Sequence, residues 1–300
     1  MNRKEFLMSM GALAAVPLAQ AGETPTPGAA KVRSAKAYTL GKVPFKVGVA
    51  GYTYHKFTLD ETLAQLKKLD VHYLTVKDFH LPMKSTDAEM AAFKRKCADF
   101  GVTGYGVGPI YMNKPEVVDR AFDYAARLGV QTIVGVPHRV VQEPKRHNVE
   151  DRAICEYIST KCDAYKINYA IHNHGPDMPE LFPTGRSSFD MVKDLSPRMG
   201  LCLDIGHDFR ANMDPADSIR LFGSRLFDLH LKNVSHNSKK GGAMPLPRGR
   251  INLLDVVKAL CEVNYTGVCA LEYERDFTDN FAGVAESIGY FRGLMDSVCA

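Results

Sequence analysis

From residue 46 to residue 295, short strand-like runs alternate with longer stretches whose apolar residues recur every three or four positions. The strand-like runs fall at 46–50, 72–76, 102–107, 131–136, 167–172, 200–204, 226–231 and 267–272. Helical patterns follow them at 59–69, 87–100, 115–128, 149–165, 187–195, 215–222, 253–263 and 280–295. Gly101 sits just past the second helix, and Pro115 stands in the first turn of the third. Strand followed by helix, eight times over, implies a parallel sheet with right-handed crossovers. Eight units in 300 residues favour closure into a single (β/α)8 TIM barrel over an open, doubly wound sheet. The first unit also lacks a G-x-G-x-x-G turn, since residues 49–53 read Val-Ala-Gly-Tyr-Thr.

Composition limits the partners. Hydrophobic residues make up 45% of the chain and charged residues 24%, enough apolar material for one large core without disulfide staples. The net charge of +4 comes from 38 basic and 34 acidic residues, and no basic run is dense enough to track nucleic acid. The seven cysteines include no C-x-x-C pair, and Cys202 and Cys269 lie inside apolar strand-like runs.

The N-terminus has a different texture. Arg3 and Lys4 precede an apolar stretch at 6–18, and Ala19-Gln20-Ala21 has the small-x-small form of a cleavage site. That stretch is too short for a stable membrane anchor. Residues 2–7 resemble a twin-arginine export signal, with Lys4 where the second arginine usually stands. Residues 1–21 therefore read as an export signal, 22–42 as a flexible Pro/Gly/Ala-rich leader, and 43–300 as the barrel. A periplasmic destination follows from that signal.

In such a barrel the chemistry lies where strands end in loops. The fifth run closes on His172-Asn173-His174, the sixth on Asp204 and His207, the seventh on His230 and Lys232, the eighth on Glu272 and Glu274. Burying these carboxylates and imidazoles together without a counter-ion is costly. One divalent cation removes that cost, and mixed N and O donors suit Mn, Co, Zn, Ni or Fe rather than Ca. His172, Asp204, His230 and Glu272 are the expected ligands. Strand alternation puts Glu272 and Glu274 on one side, with Glu272 the nearer to the strand.

The segments His172-Asn173-His174-Gly175-Pro176, Leu203-Asp204-Ile205-Gly206-His207, Leu229-His230-Leu231-Lys232 and Leu271-Glu272-Tyr273-Glu274 carry a resemblance. They are similar to the xylose-isomerase-like TIM barrels, which include sugar isomerases and epimerases, inosose dehydratases and, more distantly, endonuclease IV. Residues 77–82, Lys-Asp-Phe-His-Leu-Pro, resemble one branch of that group. The resemblance implies a metal held by Glu, Asp, His and Glu at strands five to eight. Asp204, His230 and Glu272 match, whereas His172 stands where the first Glu usually stands. It also implies α-proton abstraction from a metal-bound sugar, with Glu272, His174 or His207 as base and Lys77 or Lys232 as acid or oxyanion partner. Arg210, His80 and His55 are expected to contact substrate around the mouth. A symmetric two-glutamate epimerase does not fit a chain with one such glutamate, so isomerisation or β-elimination beside a ketone is favoured. Lyase or dehydratase action on a 3-keto-sugar or keto-glycoside is the alternative within this class. A silent sugar-binding barrel, which would need no metal, is the alternative outside it. The expected partner is a small sugar, and self-association into a homo-oligomer stays open.

The N-terminal pattern predicts that mature protein from native cells begins after about Ala21. N-terminal peptide mass spectrometry checks this, and an intact Met1 on the folded product overturns it.

Overall fold

The structure is a computed structural model that describes residues 43–138 and 147–299. The predicted signal and leader, residues 1–42, lie outside the described residues. Eight parallel strands form a closed barrel: β1 (Lys46–Ala50), β2 (Tyr73–Val76), β3 (Thr103–Tyr111), β4 (Thr132–Val136), β5 (Asn168–His172), β6 (Met199–Asp204), β7 (Leu226–Leu231) and β8 (Val268–Leu271). Each strand pairs with the next, and β1 closes on β8 with Val49 opposite Leu271. The helices are α1 (Leu59–Lys68), α2 (Asp87–Asp99), α3 (Pro115–Leu128), α4 (His147–Tyr165), α5 (Gly185–Val192), α6 (Ile205–Arg210), α7 (Pro215–Phe222), α8 (Leu253–Glu262) and α9 (Phe281–Cys299). The expected TIM barrel is what the chain forms.

Local chemistry sets the helix ends. Thr58 and Thr86 each accept the backbone N–H of the glutamate three residues on, Glu61 and Glu89, whose carboxylates bond back to the threonine N–H. These capping boxes satisfy amides that have no partner inside the helix. Gly101, at φ 72°, takes the left-handed conformation that carries the chain out of α2.

Strand alternation divides the apolar residues into two sets. Leu74, Ile133, Ile171, Leu203 and Leu229 join helical residues such as Leu63, Leu66, Phe122 and Ile158 in the main core. Small residues, among them Ala50, Val134, Ala170, Cys202 and Ala270, form two separate buried clusters. Their small size leaves room in the barrel for the larger polar side chains described below. Burial holds the thiols of Cys202 and Cys269 far above their usual pKa, so they behave as apolar filling. No helix among the described residues is long and apolar enough to cross a membrane.

Two elements differ from the sequence expectation. β3 runs on to Tyr111 rather than stopping at 107, because a register shift between Val107 and Ile110 absorbs Gly108 and Pro109. Helix α6 was not expected. It starts directly at the end of β6, with Asp204 as its N-cap.

The β1–β8 seam is locked by one hydroxyl. Thr53 Oγ1 donates to Leu271 O (3.0 Å) and accepts from Tyr273 N–H (2.9 Å), while Asn280 Nδ2 donates to Thr53 O (2.7 Å). Thr53→Val keeps the shape but strands two buried backbone groups, and should cost about 1–3 kcal/mol. A urea midpoint equal to that of the parent protein would refute this role.

Candidate functional site

The polar ends of β5 to β8 meet at the C-terminal rim. His172 ends β5, Asp204 ends β6, His230 lies one residue before the end of β7, and Glu272 follows β8. Asp204 and His230 are direct cross-strand partners. One donor atom from each of the four lies within 4.8 Å of the others, and all four residues are buried. His172 Nε2 is 3.0 Å from His230 Nδ1 and 3.7 Å from both Asp204 Oδ2 and Glu272 Oε2. His230 Nδ1 is 3.3 Å from Glu272 Oε2.

Two local devices hold this arrangement. Asn173 bonds both backbone groups of Asp204, donating from Nδ2 to its carbonyl (3.1 Å) and accepting its N–H at Oδ1 (2.8 Å). Asp204 Oδ1 accepts the His207 N–H (2.8 Å) as the α6 cap. The cap leaves the buried Oδ2 outside the helix turn, turned to the imidazoles of His172 and His207. A buried carboxylate oxygen beside two imidazole nitrogens and a second carboxylate is the donor set a divalent transition metal takes.

Lys232 is the cation of the site. Its side chain is only 2% exposed, and Nζ lies 2.9 Å from Asp204 Oδ2, 2.9 Å from Glu272 Oε2 and 3.0 Å from Glu274 Oε2. Nζ is also 3.3 Å from His207 Nε2. Burial opposes the ammonium, but Asp204, Glu272 and Glu274 outweigh it and raise the pKa well above the usual lysine value. The effect is mutual. Burial pushes the Glu272 carboxyl up, yet Lys232 and His230 hold it far below the ordinary range. Gly206 is needed here, since a Cβ in its place would lie 2.6 Å from Lys232 Cγ.

His174 and His207 stack above the cluster, with ring centroids 6.0 Å apart. Burial and the nearby His172 drive His174 down to about 3, so it stays neutral at ordinary pH. Its Nε2 is 2.8 Å from the hydroxyl of Tyr111, a residue 52% exposed. His207 is likewise held neutral, by burial first and by Lys232. Arg210 NH1 faces His207 Nδ1 at 3.2 Å, while NH2 donates to Asp177 Oδ1 and Lys239 O, both at 2.7 Å. Arg210 thus ties the loops after β5 and β7 together around His207.

The remaining expected residues spread around the mouth. Lys77, paired with Asp78 at 2.6 Å, lines a cavity of about 240 Å³ with Met83, Ile110 and Tyr111 at the ends of β2 and β3. Tyr111 joins that cavity to His174. His55 stacks on Tyr52 (4.8 Å) and meets Phe277 edge-on (4.4 Å). His80 is occupied by the chain itself: its Nε2 lies 3.1 Å from Phe57 O and 3.2 Å from Thr62 Oγ1, between the β2 loop and α1.

A model of the xylose isomerase-like TIM barrel family matches residues 63–294. The chain belongs to that family. No curated protein matches it. Solved structures with the family's fold include an uncharacterized protein of Parabacteroides distasonis, at 22% identity and TM-score 0.62, covering 84% of this chain and 99% of that one. D-psicose 3-epimerase of Clostridium cellulolyticum superposes with TM-score 0.67 at 17% identity, covering 84% and 100%. A Bacillus anthracis protein assigned as a 3-DHS dehydratase gives TM-score 0.67 at 12% identity, covering 83% and 99%.

Against this family frame, sequence reasoning left Tyr111, Asn173, Asp208 and Tyr52 without a role. Tyr111 lies beyond the strand-like run that ends at Val107. Asn173 stands between His172 and His174. Asp208, completely buried, accepts Gly185 N–H (2.9 Å) and Ser218 Oγ–H (2.6 Å), and so fixes α6 against α5 and α7. Tyr52 lies close enough to Glu274 and Glu272 for both to raise its pKa, after burial.

Burial pushes Asp208 up to about 6, above its ordinary value of 3.8. The folded state therefore prefers the protonated form. The stability this group contributes is complete below pH 4 and is lost as pH rises toward 6. Asp208→Asn should flatten that part of the stability profile. Urea titrations from pH 4 to 7 measure it, and an unchanged slope in the variant would contradict the assignment.

Proposed function

We propose that this protein is a divalent-metal-dependent sugar isomerase or epimerase-like enzyme that removes a proton from the carbon next to a carbonyl. The observation that carries the reading is the convergence of His172, Asp204, His230 and Glu272 within 4.8 Å at the rim where barrels of this kind do their chemistry. Family membership and an epimerase among the structural neighbours support it. These four residues would hold Mn, Co, Zn, Ni or Fe. When bound, such an ion supplies Lewis acidity that polarises a carbonyl and stabilises the charge developing on its oxygen.

The chain's own residues do the rest. Glu272, His174 and His207 are unprotonated at neutral pH and are the candidate proton acceptors. Lys232, held charged, is a cationic partner for a developing oxyanion. Tyr111 links His174 to the cavity lined by Lys77, a route for the far end of a sugar. Arg210 and His80, whose donors are largely engaged by backbone and side chains, act mainly by shaping the loops. His55 and its aromatic neighbours offer a flat apolar face to a pyranose ring.

His172 favours a second reading. With one strand-end glutamate rather than two, proton removal is one-sided, and a base opposite an ammonium suits loss of a β-hydroxyl or aglycone from a keto-sugar. A dehydratase among the neighbours supports this reading too. The export signal expected at residues 1–21 would put either reaction outside the cytoplasm, on unphosphorylated sugars.

Protein purified without chelator should carry close to one divalent ion per chain by elemental analysis, and Asp204→Ala with His230→Ala should abolish it. Metal retained by that double variant would refute the ligand assignment. NMR of keto-sugar turnover in D₂O should show exchange on one face of the substrate carbon, and loss of water or aglycone would select the lyase reading. His172→Glu should keep the metal and open exchange on the second face. Two-sided exchange by the unaltered enzyme would sink the one-sided mechanism.

A further inference from the structure

The cation that the four-residue cluster is proposed to hold is not the first positive charge to reach it. Two oxygens would be central to any metal there. Asp204 Oδ2 is the carboxylate oxygen left free by the helix cap, and Glu272 Oε2 is the one nearest both His172 and His230. Those same two oxygens are the ones Lys232 Nζ touches, each at 2.9 Å. An ammonium at that distance and a dication at ordinary coordination distance, about 2 Å, would address the same lone pairs and repel each other.

The third carboxylate resolves the conflict. Glu274 Oε2 lies 3.0 Å from Nζ, its side chain is 30% exposed, and it does not belong to the four-donor cluster. It is the one acidic neighbour of Lys232 that can follow the ammonium outward. Charge agrees with position: Asp204, Glu272 and Glu274 carry three negative charges, which one ammonium and one dication neutralise together. Neither cation has to be lost when the other is present, provided the ammonium shifts its contacts.

We infer that Lys232 is an internal counter-cation that occupies Asp204 and Glu272 in the metal-free protein and is handed to Glu274 when a divalent metal binds. This inference rests on the metal-centre reading and adds to it. It assigns Glu274 a positioning role: Glu274 draws the ammonium away from the ligand oxygens.

The test is a double-mutant cycle on Mn²⁺ binding, read by calorimetry on full-length protein, with Lys232→Met, Glu274→Gln and the pair. Lys232→Met should bind Mn²⁺ about tenfold more tightly, since the competing charge is gone, while Glu274→Gln should bind about tenfold more weakly. In the pair, the loss caused by Glu274→Gln should vanish, because there is no lysine left to draw away. The metal-free Lys232→Met protein should also melt at lower temperature than the parent and recover with Mn²⁺. A Glu274→Gln loss that persists without Lys232 would show plain charge attraction and overturn the handover, as would weaker Mn²⁺ binding by Lys232→Met. If Lys232→Met does not fold even with Mn²⁺, Lys232→Gln takes its place in the cycle with the same expected and overturning results, and unchanged affinity in Glu274→Gln also overturns the proposal. Absence of Mn²⁺ binding in every variant, with other divalent ions equally silent, removes the metal centre itself, an outcome distinct from failure of the handover.

Discussion

The ammonium of Lys232 against the carboxylates of Asp204, Glu272 and Glu274 is the interaction on which the rest of the rim depends. A barrel of this size can bury acidic groups only if opposite charge or hydrogen bonds accompany them. Lys232 meets that requirement from a position fixed by β7, two residues beyond His230. Its stem needs the space that Gly206 leaves, and Gly206 is placed by the cap that Asp204 forms on α6. That cap in turn presents Asp204 Oδ2 to the imidazoles. The charge pair, the glycine and the helix start are therefore one structural unit.

Around this unit His174 and His207 are kept neutral by burial and by the positive charges near them. His174 and His207 stack on each other, and each ring is oriented by a residue from a different element, Tyr111 at the end of β3 in one case and Arg210 at the end of α6 in the other. A rim with two neutral imidazoles, the unprotonated carboxylates of Asp204 and Glu272 and one ammonium has proton acceptors and an electrostatic partner within a few ångströms. With an imidazole, His172, at the end of β5 and a carboxylate, Glu272, after β8, the rim is asymmetric. The layer of small residues inside the barrel, including Ala170, Cys202 and Ala270, gives the polar layer above it somewhere to sit.

Much of this was legible in the chain. The repeated change of hydrophobic period from two to three-and-a-half marks eight strand–helix units, and every barrel strand and every long helix lies within a few residues of where that pattern places it. The strand ends then name the polar residues that must share one rim, because parallel strands in a closed barrel all finish on the same face. The signals that misled were local. Gly108 and Pro109 follow the run that ends at Val107, yet the register shift in β3 absorbs them and carries Tyr111 into the site. Helix α6 is a six-residue turn of helix that starts without any loop, too short to show a period.

What the sequence determined by itself is the barrel, its closure order, and the set of residues at the C-terminal rim, all of which follow from periodicities along the chain. What only the tertiary structure decided is which of those side chains touch. Lys232 reaches Glu272 across 40 residues, Arg210 reaches Asp177 and Lys239 from opposite directions, and His80 turns to Phe57 and Thr62 rather than to the rim. These contacts depend on shear between strands, on the turn of each loop and on the competition for a few donors and acceptors in a closed space. None of those quantities is written in the spacing of residues along one strand, because each is settled by neighbours that the fold, and not the chain order, brings together.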